Sequence, residues 1–138
     1  MPVIAYQGGI QGLVGRVVYA GAFESLVMPL YDVSSFVSSR LVESRYEGIV
    51  EGRGNPDFPI LMRYINRRAR DEINPGDMVV TSGLGGIYPP GINIGRVSRI
   101  NYQETELSME VELTPSINFS RLEYVFVINL LETGERDG

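Results

Sequence analysis

The chain contains no histidine, no cysteine, no lysine and no tryptophan, and all 12 of its basic residues are arginine. Without cysteine there are no disulfides, thiolate nucleophiles or zinc–thiolate sites. Without histidine the commonest general base and metal ligand is gone. Without lysine there is no Schiff-base chemistry, no Ser–Lys dyad and no P-loop lysine. Few catalytic designs survive these exclusions, so the residues read as a protein without enzymatic activity, cofactor or metal. No run of about 18 apolar residues occurs, so no segment reads as a membrane-spanning helix. The opening Met1-Pro2-Val3-Ile4 has no signal-peptide anatomy, and on these grounds alone the chain would read as cytosolic.

What is present suits a β-protein. The 138 residues are enough for one medium domain or two small ones, and 43% hydrophobic residues supply a core. A net charge of −5 gives no electrostatic reason to bind nucleic acid or anionic membrane. Glycine and proline punctuate the chain at close intervals, and the runs between them are short and β-branched. That pattern predicts an all-β sandwich or barrel with no long helices.

Strands are expected at Val3–Ala5, Leu13–Tyr19, Glu24–Leu30, Phe36–Val42, Tyr46–Glu51 and Pro59–Ile65. In the last, Ile60, Met62 and Tyr64 alternate with Leu61, Arg63 and Ile65. Asn66–Glu72 reads as one helical turn, and Phe119–Arg121 as a short turn. Leu107, Met109, Val111 and Leu113 alternate with Glu106, Ser108, Glu110 and Glu112, which predicts one buried and one wet strand face. Glu123–Leu131 is apolar on both faces, which predicts a central, covered strand. Thr133–Gly138 reads as a frayed polar tail.

The stretch Asn74–Val97, NPGDMVVTSGLGGIYPPGINIGRV, organises the rest. Asn74-Pro75-Gly76-Asp77 is a turn. Met78–Thr81 is a short strand, Ser82–Gly86 a glycine-dense loop, and Tyr88–Gly91 a second turn. Ile92–Val97 is again a strand, with Gly95 as a bulge. The chain also echoes itself. Gly8-Gly9-Ile10 leads into Leu13-Val14-Gly15-Arg16-Val17, and Gly85-Gly86-Ile87 leads into Asn93-Ile94-Gly95-Arg96-Val97. Two related β-units would explain this, with residues 1–46 forming part of the first and 47–132 the second.

Each chemically suggestive group has a plainer structural reading. Gly83, Gly85 and Gly86 could cradle a phosphate, but Tyr-Pro-Pro follows instead of a helix. Ser82 and Thr81 lack any strong base to activate them. The i, i+4, i+6 spacing of Glu106, Glu110 and Glu112 is too open for a calcium cage, so a solvated strand face is the better reading. Arg63, Arg67, Arg68 and Arg70 form the one basic cluster; a loop with local ion pairs is the default, and a protein contact comes second. Arg16 and Arg96 hold matching positions in the two echoes and are expected to pair with carboxylates. Tyr88, flanked by Pro89, is the best candidate for an exposed anchor. Gly76 and Asp77 complete the motif residues.

The central stretch, together with Gly12-Leu-Val-Gly-Arg-Val17, Gly48-Ile-Val-Glu-Gly52 and Arg121-Leu-Glu-Tyr-Val125, resembles in order the extracytoplasmic β-domain of the rod-shape-determining MreC family. The resemblance implies two small barrels in succession, the first incomplete here, in an excised soluble piece that begins inside the family's β-region. It also implies a non-enzymatic scaffold at the periplasmic face of the bacterial inner membrane. Such a scaffold self-associates, binds a class B penicillin-binding protein, and shares a complex with MreD, RodA, RodZ and MreB. Membrane attachment would come only through a family N-terminal helix absent from this sequence. A small-ligand or nucleic-acid-binding barrel is the alternative.

Overall fold

The computed structural model describes residues 1–129. Ten strands follow one another: β1 (Pro2–Gln7), β2 (Ile10–Ala20), β3 (Ser25–Pro29), β4 (Phe36–Leu41), β5 (Glu47–Glu51), β6 (Ile60–Asn66), β7 (Met78–Thr81), β8 (Asn93–Asn101), β9 (Ser108–Pro115) and β10 (Phe126–Val127). Single 3-10 turns at Arg67–Asp71 and Phe119–Arg121 are the only helical elements among the described residues. Each is opened by an asparagine, Asn66 or Asn118, whose side chain accepts from the backbone two residues on. The expected all-β class is what forms.

Two β-units share this framework. One is an open four-stranded sheet in the order β10-β1-β2-β3; the other is a closed barrel in the order β4-β5-β6-β9-β8-β7. The barrel core is built by alternation: Met109, Val111 and Leu113 of β9 are buried while Glu110 and Glu112 lie on the other face. Leu107 falls outside that pattern. It precedes the strand and is 90% exposed. Val37, Leu41, Val50, Ile60, Met62, Val79 and Ile94 complete the interior. Each such side chain contributes about 1.5–3 kcal/mol by leaving water. Ile4 and Leu13 of the open sheet, with Leu30 just after β3, join the same apolar cluster, so the two units share a core.

The sequence echo is a structural duplication. Gly15 pairs with Val3 on one side and Pro29 on the other; Gly95 pairs likewise with Val79 and Pro115. Both sites carry a bulge against the preceding strand, and a second bulge follows Val17 and Val97 alike. Glycine is required there by close approach. A Cβ on Gly15 would lie 2.0 Å from the Met28 carbonyl oxygen, and one on Gly95 2.3 Å from that of Thr114. Position by position, β1-β2-β3 matches β7-β8-β9, and β10 stands to β1 as β4 stands to β7. The counterparts of β5 and β6 are absent among the described residues, which leaves β3 and β10 each with one unpaired edge.

Three expectations need correcting. Strand partnership draws the line between units elsewhere than 46/47, because β4 hydrogen-bonds into the barrel and β10 into the open sheet. Glu123–Leu131 is not a covered central strand over its described part. Only Phe126–Val127 pairs, at a sheet edge, with Tyr124 79% exposed. Apolar content on both faces signals a preference for burial but does not supply the second neighbouring strand. In β6, a bulge between Met62 and Ile65 reverses the alternation, so Ile65 enters the core and Tyr64 is turned out. The expected tail at 133–138 lies outside the described residues.

Candidate functional site

The central stretch builds a loop latched at its base. Thr81 is fully buried, and its hydroxyl donates to the Pro89 carbonyl at 2.6 Å and accepts from the Ile92 amide at 2.9 Å. The Thr81 amide and carbonyl also bond across the base, to Ile92 and Gly91. Ser82 donates its amide to the Ser38 carbonyl and caps Leu84 with its hydroxyl. Gly83, Gly85 and Gly86 have φ of 84°, 82° and 72°, a region open to glycine without steric cost. The loop is therefore held at its neck and free at its tip, where Leu84 and Ile87 are exposed.

Tyr88 is not the exposed anchor expected of it. It is 7% exposed and packs in the shared core, with the Arg16 charge acting on it from the open sheet. Burial pushes its phenol pKa up. The Pro89-Pro90 turn folds the ring inward, so the tip aliphatics take the outward role. At the other side of the loop base, Gly76 donates to the Val97 carbonyl and accepts from Arg96 at 2.9 Å. Asp77 closes its turn by accepting from the Asn74 amide at 2.9 Å. Arg96 therefore serves a backbone carbonyl instead of the expected carboxylate, and Arg16 has no ion-pair partner among the described residues.

The arginine cluster lies at the far end of the barrel. β8 begins next to the glycine loop and ends beside Tyr102, roughly 27 Å away for eight residue steps. There Arg63 pairs with Glu51 at 3.1 Å, which also raises the arginine pKa, and its guanidinium lies 5.2 Å from the Tyr64 ring centroid. Arg67 donates to the Tyr102 hydroxyl and to the Glu104 carbonyl. Arg70 stacks on the Tyr102 ring at 4.3 Å. Arg68 is exposed and makes no ion pair among the described residues. The sequence-predicted residues thus form two groups, loop and arginines, that do not meet.

Among the described residues no set of three acidic, histidine or cysteine side chains converges as a metal site. Among the described residues the Ser82 hydroxyl bonds only to the Leu84 amide. Fold and site together define a closed six-stranded β-barrel joined to an open four-stranded sheet.

Comparison with known proteins agrees. Residues 1–129 match the model of the family described as rod shape-determining protein MreC, barrel core. The cell shape-determining protein MreC of Bacillus subtilis is 29% identical over 125 residues, covering 85% of this chain and 43% of the relative. The MreC structure from Listeria monocytogenes superposes with a TM-score of 0.79 at 28% identity, over 91% of this chain and 58% of that one. Two structures below 25% identity share the fold: the major periplasmic domain of the cell shape-determining filament MreC, with TM-score 0.66 over 83% of this chain and 69% of that one, and MreC in complex with penicillin-binding protein PBP2 from Helicobacter pylori, with TM-score 0.61 over 91% of this chain and 94% of that one. The chain belongs to the MreC family. It spans less than half the length of the Bacillus relative it matches.

Proposed function

We propose that this chain is a non-enzymatic, extracytoplasmic scaffold of the bacterial cell-elongation machinery, acting by self-association and by binding a class B penicillin-binding protein. Family membership supports the cell-shape role, and the fold shared with a periplasmic MreC domain supports the location. The fold shared with an MreC bound to PBP2 supports the partner. MreD, RodA, RodZ and MreB are the further members of the assembly this reading implies.

The observation that carries it is the open sheet beside the closed barrel. Among the described residues every barrel strand has two neighbours, whereas β3 and β10 each have one. Their surroundings are apolar: Leu26 is 61% exposed, Phe126 53% and Val127 49%. Unpaired edges with apolar flanks recruit further strands, from a second copy or from a partner. A scaffold of this kind changes an enzyme's activity only if it binds two states of that enzyme unequally.

The test is capture of the periplasmic part of the transpeptidase on immobilised chain, with light scattering for self-association. A Leu26→Lys edge variant and a Leu84→Asp, Ile87→Asp loop-tip variant are compared with the parent. Weakened capture in either, with an unchanged circular dichroism spectrum, is the expected outcome. Full-strength capture by both variants, or none by the parent, overturns the reading.

A further inference from the structure

The far end of the barrel carries a recess of about 190 Å³ that neither strand edge nor glycine loop uses. Tyr64 stands beside it. This tyrosine has a φ of 63°, a left-handed conformation that costs a bulky L-residue about 1–2 kcal/mol. It is nevertheless 60% exposed, while its neighbour Ile65 is fully buried. The bulge in β6 causes it, and the result is a ring held out over the recess, fixed by the Arg63 guanidinium at 5.2 Å. Arg63 is in turn tethered by Glu51.

The polar groups around the ring are of one kind. Asn101, Gln103, Glu106, Ser108 and Glu110 line the recess, and none of their side chains has a hydrogen-bond partner among the described residues. Buried Met109 adds the one apolar wall. Planar amides, carboxylates and a hydroxyl supply donors and acceptors around a shallow space, next to an aromatic face. Pockets bind through such a combination of apolar surface and a few convergent polar groups. With the Arg63 charge met by Glu51, Glu106 and Glu110 leave the lining net acidic, which disfavours an anionic ligand and keeps both carboxylates as hydroxyl acceptors. A ligand with many hydroxyls, no anionic group and one apolar C–H face meets these features.

We propose that the recess formed by Tyr64, Asn101, Gln103, Glu106, Ser108 and Glu110 binds a neutral pyranose unit of a glycan. The sugar's C–H face stacks on the Tyr64 ring, and its hydroxyls or acetamido group engage the unpartnered amides and carboxylates. The volume suits about one sugar ring, so affinity for a short oligosaccharide is on the order of 1 mM.

The test is titration of the isotope-labelled chain with chitotetraose, with cellotetraose in a second arm to separate acetamido recognition from hydroxyl recognition. The expected result is saturable amide shifts confined to residues 63–65 and 101–110. Tyr64→Asn keeps a residue type that tolerates positive φ but removes the ring. It is expected to weaken binding by about tenfold or more while the rest of the spectrum is unchanged. Gln103→Ala, at an exposed loop position, gives a second loss without touching the strand. No saturable shift with either sugar, shifts elsewhere on the barrel, or full binding by both variants overturns the proposal. So does a response of these residues to the transpeptidase domain but to neither sugar, which would make the recess a protein contact.

Discussion

At the scale of single residues, the two glycine groups do different work and should fail differently. Gly95 is needed because the neighbouring carbonyl leaves no room for a Cβ, while Gly85 is needed only for its φ, with open space around it. Gly95→Ala is expected to cost about 3 kcal/mol by overpacking against a backbone that cannot yield. Gly85→Ala is expected to cost about 1 kcal/mol. Urea denaturation of the two variants checks the order. A second prediction concerns pH. No side chain here has an ordinary pKa between about pH 5 and about pH 8, since histidine and cysteine are absent. Tyr88, by burial, and Tyr46, by hydrogen bonding to Glu72, have folded pKa values raised above 10.0. A raised folded value means that the stability is intact below the unfolded pKa and is lost as pH rises through the folded one. The urea midpoint is therefore expected to hold steady through neutrality and to fall above about pH 10, less steeply in Tyr88→Phe.

At the scale of elements, alternation in β9 was legible from the sequence because nothing interrupts it. In β6 it was not, since a bulge is a property of the strand pair and not of the strand. The same holds for β10. Its residues are apolar enough for a core, but among the described residues only β1 stands beside it, through two residue pairs. Its amides are expected to exchange with solvent fastest among the strands, and those of β8 and β9 slowest, because these are the longest strands of the closed barrel. Hydrogen exchange read by NMR decides this. Slow exchange at Phe126 and Val127 would mean that the β10 edge is covered in solution, as self-association through that edge requires. The Thr81 latch was also missed. Thr81 reads as the last residue of a short strand, but the two hydrogen bonds of its hydroxyl depend on where Pro89 and Ile92 return.

At the scale of the whole molecule, the open sheet and barrel share one apolar cluster through Ile4, Leu13 and Leu30. They are accordingly expected to unfold in one transition, with calorimetric and van't Hoff enthalpies equal. Leu13→Ala, at a fully buried position in that seam, is expected to cost about 2–5 kcal/mol and to lower this single transition without splitting it. Two separated transitions would show that the seam does not couple the units. The sequence alone determined the class of fold, the turn chemistry, the duplication marked by Gly-Arg-Val, and the exclusion of most catalytic designs. Each of these is local, written in residue type and spacing. Tertiary structure alone decided which edges stay unpaired, that Tyr88 turns inward while Tyr64 turns out, and that Asn101, Gln103 and Glu106 converge with Tyr64 on one recess. Those outcomes depend on strand partners far apart along the chain, and the pairing of distant strands leaves no periodic trace in either one.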